Sequence, residues 1–185
     1  MEAHLADLPT SPHHLKDLAA RRATPFSLQP TAPERSAIAD ALGILGIKKL
    51  LFTGELIPVG PTDWELRAKL GATVVQACVV TLDPVSTRID EPVSRIYTAH
   101  FEEPDENDVE MAVDENTEPL PATVDVAAVM IEALSLALPT YPRVAGAELG
   151  AITVTERGIA PMTKDEAKPF AGLADLRKSL ENKAE

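Results

Sequence analysis

The stretch WELRAKLGATVVQACVVTL, from Trp64 to Leu82, decides the fold. Its even-numbered positions are mostly apolar, whereas Glu65, Arg67 and Lys69 occupy odd-numbered positions. Because successive side chains of a β-strand point to opposite faces, this alternation predicts a half-buried strand with its even face inside. The apolar even positions are Trp64, Leu66, Ala68, Leu70, Ala72, Val74, Cys78 and Val80. Since the stretch exceeds an ordinary strand, we expect a bulge or sharp bend at Gly71.

The β pattern extends on both sides of this stretch, from Ile47 to Phe101. Asp83 and Pro84 are typical turn residues, and they predict a return strand that includes Val93 and Tyr97. Consecutive strands joined by short turns pair antiparallel. We therefore predict an α+β fold, with an antiparallel sheet or partly closed barrel flanked by two or three helices.

Two helices are predicted from their capping residues. Thr31 and Glu34 have capping-box spacing, and the helix that follows them should end at Gly43. Asp125 is placed to cap a second helix, whose apolar residues follow the 3.6-residue period until Pro139. These apolar residues are Val126, Val129, Met130, Ala133, Leu134, Ala137 and Leu138.

The domain organisation is predicted from changes in composition along the chain. Residues 1–24 are polar and should form a loosely ordered arm, whereas residues 25–160 should form a single α+β domain. Within that domain, residues 102–122 should be a mobile loop, because they begin with a run of acids that contains no Lys or Arg. Residues 161–185 should form a C-terminal tail with a short amphipathic helix behind Pro169.

Composition and charge exclude several classes of protein. The chain has 185 residues and a formal net charge of -12, which opposes free binding to nucleic acid. Aromatic residues make up only 4%, so few side chains are available for stacking on single-stranded RNA. No apolar run approaches the roughly 20 residues of a membrane span, and the first residues lack a signal-peptide pattern. We expect a cytoplasmic protein.

The sequence predicts no catalytic residue, metal or cofactor, and we expect no enzyme. Cys78 is the sole cysteine and has apolar neighbours, so it should be a small buried side chain rather than a nucleophile or metal ligand. The four histidines lack the paired spacings of a zinc site. Neither a Gly-rich phosphate loop nor an EF-hand pattern occurs.

Local clusters of basic residues suggest where a partner would bind. They are Arg21 with Arg22, Lys48 with Lys49, Arg67 with Lys69, and Arg88 with Arg95. They form either a basic face or ordinary solvent-facing positions. We take Arg88 and Arg95 as candidate interaction residues. Phe170, Leu173 and Leu176 in the tail are further candidates, because their helical spacing suits either a partner's groove or the protein's own sheet.

Four segments occur in an order that resembles the YceD family, the large ribosomal RNA subunit accumulation proteins. They are PFSLQPTAPERSAIADALGI (25–44), CVVTLDPV (78–85), VDVAAVMIEALSLALPTYPR (124–143) and KPFAGLADL (168–176). The positions that match the family motifs are Cys78, Leu82, Pro84, Pro139, Pro142, Pro169 and Phe170.

Departures from the family pattern limit what the resemblance implies. Many relatives carry a second cysteine where this chain has Thr81, and another cysteine pair where it has Val144, Ala145 and Gly146. A zinc site therefore cannot be transferred to this chain. The resemblance does imply a non-catalytic ribosome-biogenesis factor that supports accumulation of large-subunit (23S) ribosomal RNA in a bacterial cytoplasm.

The partners implied by the resemblance are a ribosomal precursor particle, a ribosomal protein or structured ribosomal RNA, with no membrane and no small-molecule substrate. An alternative is an acidic adaptor or chaperone for a basic ribosomal protein. In that alternative, residues 102–118 would mimic the charge of phosphates.

Overall fold

The computed structural model describes residues 8–101 and 116–148, which form two sheets and two helices. The strands are β1 (Pro12–His14), β2 (Thr24–Leu28), β3 (Gly46–Val59), β4 (Asp63–Ala77), β5 (Pro84–Thr98), β6 (Thr117–Pro119) and β7 (Thr123–Asp125). The helices are α1 (Ala32–Ala41) and α2 (Val126–Ala137). The predicted α+β class is confirmed.

The larger sheet has the strand order β2-β3-β4-β5-β6, and β1 pairs with β7 in a separate two-stranded sheet. All neighbours are antiparallel except β5 and β6, which run parallel. The expected antiparallel sheet is therefore mixed, because the long connection over residues 99–116 allows a parallel partner. The sheet is also open, with β2 and β6 at its edges, rather than a partly closed barrel.

The even face of β4 is buried, as the alternation predicts. Its fully or nearly buried residues are Trp64, Leu66, Leu70, Ala72 and Val74, with Cys78 just beyond the strand. The five residues of the strand itself share one core with side chains of β3, β5, α1 and α2. Burial of such large apolar side chains contributes about 1.5–3 kcal/mol each, so this face is a main source of stability.

The prediction of a bulge or sharp bend at Gly71 is wrong, because this glycine pairs in regular register with both Leu51 and Asp90. The bulge lies on β3 instead, where Ile47 pairs with Val74 and Lys49 already pairs with Thr73. Lys48 is the extra residue. Gly71 instead leaves space for the side chain of Arg88. A Cβ at position 71 would lie only 2.9 Å from an Nη atom of that arginine.

Both helices begin as their capping residues predict. The capping box of Thr31 and Glu34 starts α1, and the Thr31 backbone N–H donates to the Glu34 carboxylate at 2.6 Å. The Asp125 carboxylate accepts the N–H of Ala127 at 2.9 Å at the start of α2. Helix α2 then buries Val126, Val129, Met130 and Leu134 against the sheet side of the core.

The N-terminal residues from 8 onward are not a loose arm. Strand β1 pairs with β7, Leu15 is buried, and the Ser11 N–H donates to the Asp125 carboxylate at 2.8 Å. Leu15 begins a single 3₁₀ turn, Leu15–Asp17. The segment is polar in composition, but backbone pairing, buried Leu15 and the partly buried side chains of Leu8 and Leu18 are enough to hold it.

The loop predicted at residues 102–122 is partly wrong, because it contains a short strand. Residues 117–119 form β6 against β5, because strand pairing supplies partners for their backbone groups. Residues 102–115, the remainder of that acidic run, lie outside the described part of the chain, as does the tail at 161–185.

Gly54→Ala should lower the free energy of unfolding by about 1–3 kcal/mol, as overpacking of a well-packed site usually does. A Cβ at Gly54 would lie 2.2 Å from the Arg67 carbonyl oxygen and 2.6 Å from Ala68, so the backbones of β3 and β4 would have to separate. Gly46→Ala is the matched control on the same strand, because its Cβ would meet nothing within 4 Å. Equal midpoints for the two variants in urea unfolding would contradict this prediction.

Candidate functional site

The turn after β4 and the segment after α2 are joined by hydrogen bonds around Cys78. The N–H of Val79 donates to the Pro142 carbonyl at 3.0 Å, and Gln76 Nε2 donates to the Pro139 carbonyl at 3.1 Å. Within the turn, the N–H of Cys78 donates to the Asp83 carbonyl at 2.8 Å. The two segments, about 60 residues apart in sequence, therefore form one structural unit.

The Cys78 thiol is fully buried, which confirms the prediction of a buried side chain. Its surroundings are more polar than expected, because its sulfur accepts the N–H of Thr81 at 3.4 Å and that of Val144 at 3.5 Å. Hydrogen bonds from Thr81, first from its side chain and then from its backbone, lower the pKa of Cys78 to about 6, and the Val144 N–H adds to this effect.

Five of the family-motif positions meet at this unit. Cys78 and Leu82 lie in the turn, and Pro84 opens β5 beside it. Pro139 and Pro142 supply the carbonyls that receive the hydrogen bonds from β4 and the turn. Leu82 has a φ of +64°, a conformation that side chains rarely adopt, and its side chain is exposed. Pro169 and Phe170 lie outside the described residues.

Arg88 and Arg95, the two candidate interaction residues of the sheet, lie on opposite faces of β5. They are separated by an odd number of positions, and successive side chains in a strand alternate. Arg95 faces α2, where it bonds Glu118 of β6 and Glu132 of α2, the latter at 2.6 Å. Its side chain is 16% exposed, against 52% for Arg88. Arg95 therefore joins β5, β6 and α2.

Arg88 lies instead in a basic groove on the outer face of the sheet, with a volume of about 420 Å³. The groove is lined by Gln29, Arg35, Lys48, Lys49, Leu50, Leu51, Gly71 and Arg88. Four cations thus line it, and its lining contains no carboxylate. Two of the predicted basic clusters contribute to it. Lys48 and Lys49 both line the groove, whereas only Arg88 of the pair Arg88 and Arg95 does.

The β3 bulge is what exposes two consecutive lysines in this groove. A regular strand would direct Lys48 and Lys49 to opposite faces, but the extra residue leaves both exposed between buried Ile47 and Leu50. The lysines belong to a predicted basic cluster, whereas Arg35 does not. The usable signal was the change of apolar parity across Ile47-Lys48-Lys49-Leu50, which indicates a bulge at this position.

Arg35 is held at the groove by backbone carbonyls. Its Nε donates to Ile47 at 3.1 Å, and its Nη1 donates to Pro30 at 2.7 Å. A guanidinium has five N–H donors, so these contacts orient the side chain and leave donors for a bound anion. Across the groove, Arg88 Nε donates to Asp90 at 2.7 Å and lies over Gly71.

No three Cys, His, Asp or Glu side chains within residues 8–101 and 116–148 come together as metal ligands. Neither of the two described helices combines the length and apolar character required to cross a bilayer.

A protein-family model described as Large ribosomal RNA subunit accumulation protein YceD matches residues 66–177, more than half of the chain. The chain belongs to the YceD family. No curated protein matches it, and no solved structure does. The YceD description refers to ribosomal RNA accumulation and not to a catalytic activity, so membership supports a ribosome-related role.

The YceD match covers three of the four resembling segments, including the turn at Cys78 and the α2 segment. The opening segment at 25–44 precedes it. The basic groove is therefore built from both sides of the boundary, since Arg35, Lys48 and Lys49 precede residue 66 whereas Gly71 and Arg88 follow it.

The free energy of unfolding should rise between about pH 6 and the ordinary thiol pKa of about 8.5, because the folded state holds the Cys78 thiolate at lower pH than the unfolded chain does. This contribution is complete at higher pH and is lost as the pH falls through 6. Cys78→Ala should remove this rise, and the measurement is urea unfolding across the range under reducing conditions. An identical pH profile for the variant would contradict the assignment.

Arg95→Gln should lower the free energy of unfolding by about 1–3 kcal/mol, because it removes charge-assisted hydrogen bonds to Glu118 and Glu132. Arg88→Gln is the matched control on the same strand and should leave unfolding nearly unchanged, since its bond to Asp90 is solvent-exposed. Thermal unfolding at one pH compares the two. Equal losses would mean that the two arginines do not differ in structural role.

Proposed function

We propose that the protein is a non-catalytic ribosome-biogenesis factor that supports accumulation of large-subunit (23S) ribosomal RNA in the cytoplasm. The observation that carries this proposal is the YceD family match over residues 66–177. Its partner is a ribosomal precursor particle, through a ribosomal protein or structured ribosomal RNA. The tail residues Phe170, Leu173 and Leu176 remain proposed contact residues.

The basic groove adds a physical reason to expect an RNA-containing partner. A chain with a net charge of -12 repels a polyanion at long range, so contact requires a local surface of opposite charge. The groove provides such a surface with four cations close together. A precursor particle also carries proteins, and their basic surfaces can offset the repulsion from the rest of the chain.

The alternative is an acidic adaptor or chaperone for a basic ribosomal protein. It is supported by the acidic run within residues 102–118, which contains no Lys or Arg. Such a run offers closely spaced negative charge to a basic partner. The two proposals differ in whether binding to the particle depends on intact RNA.

Deletion of the gene in the source organism should lower the ratio of large-subunit to small-subunit ribosomal RNA, and the full-length chain should restore it. Affinity-tagged protein should recover large-subunit precursors at low salt, and ribonuclease treatment should release them. An untagged strain provides the control. Recovery of one basic ribosomal protein that survives ribonuclease would favour the adaptor. An unchanged RNA ratio after deletion would refute the proposed function.

A further inference from the structure

We propose that the basic groove binds the phosphodiester backbone of double-helical RNA, an inference that rests on the proposed function and identifies the surface used. The groove-lining cations are Arg35, Lys48, Lys49 and Arg88. They come from α1, β3 and β5, so the fold brings together charges that are distant in sequence.

The geometry of the groove is suited to phosphate oxygens. Two backbone carbonyls accept hydrogen bonds from the guanidinium of Arg35 and orient it. The guanidinium of Arg88 is oriented by its hydrogen bond to Asp90 and lies over Gly71, which has no side chain to obstruct it. Orientation before binding lowers the entropy cost of forming the contacts. Lys48 is held more loosely, with a single bond of 3.3 Å from Nζ to Ser86 Oγ.

Asp90 reduces the charge of the groove without reversing it. It pairs with Arg88 at the edge of the groove, so the cations there outnumber their carboxylate partner by four to one. Both residues of that pair are about half exposed, and water screens the interaction between them. A phosphate oxygen can therefore share or replace Asp90 as the acceptor for Arg88.

The lining also indicates which form of RNA is bound. Recognition of single-stranded RNA uses aromatic side chains on which bases stack, and none lines this groove. Double-helical RNA is recognised through its phosphates and 2′-hydroxyl groups, which need cations and neutral polar groups. The amide of Gln29, which also lines the groove, is a neutral donor and acceptor of this kind.

Binding of the full-length protein to a fluorescent RNA duplex, titrated over a range of salt concentrations, tests the groove. Each neutralised phosphate contributes roughly 0.7 to 0.9 to the slope of log K against log salt, so four contacts predict a slope of about -3. Lys48→Gln/Lys49→Gln should reduce the slope by about 1.5 and weaken binding at low salt by at least about tenfold. A single strand of the same composition should bind more weakly than the duplex.

The control is Arg21→Gln/Arg22→Gln, which removes the same charge from two residues that do not line the groove. It should lower the slope and the affinity much less than Lys48→Gln/Lys49→Gln does. Arg88→Gln gives an independent second variant, with an expected reduction in slope of about 0.8. Circular dichroism verifies that each variant is folded.

Several outcomes would overturn the groove assignment. They are absence of duplex binding at low salt, equal effects of the groove and control variants, and competition by polyglutamate as strong as that by RNA. The last result would indicate an acidic protein as the partner.

If the Lys48→Gln/Lys49→Gln variant loses RNA binding but still restores ribosomal RNA in the deletion strain, the protein does not act through the groove, while the proposed function remains. Failure of the full-length chain to restore ribosomal RNA refutes the proposed function regardless of duplex binding.

Discussion

Burial of the even face of β4 is the interaction on which the rest of the structure depends. This strand pairs along nearly its whole length with β3 on one side and β5 on the other, so its orientation sets the register of both neighbours. A shift by one residue would expose every core side chain of the strand and bury Glu65, Arg67 and Lys69. Which face of β4 is buried therefore determines where the core, the outer groove and the turn at Cys78 lie.

The same alternation explains which features could be predicted from the sequence and which could not. It predicted β4, its return strand and its buried face, and the capping residues predicted both helices. The alternation also places Arg88 and Arg95 on opposite faces, which their proximity in the sequence does not reveal. A glycine in a strand often marks a bulge or sharp bend, whereas Gly71 accommodates a neighbouring side chain in a regular strand.

Features that depend on distant partners could not be predicted from local patterns. The hydrogen bonds to the Cys78 sulfur come partly from Val144, 66 residues away in sequence, so an apolar neighbourhood was inferred for a thiol that has polar contacts. The groove joins Arg35 of one helix to residues of two strands. In both cases no local sequence pattern links the residues, and only the fold brings them together.

The pairing of β1 with β7 has a consequence for how the chain folds. It joins Ser11 to Asp125 across 114 positions, whereas β3, β4 and β5 follow one another through short turns. Closing so large a loop carries a high entropy cost, so we expect the consecutive strands to assemble first and the N-terminal strand to dock late. On a translating ribosome, Leu15 then stays exposed until β7 has emerged, and the start of the chain is among the last parts of this unit to become structured.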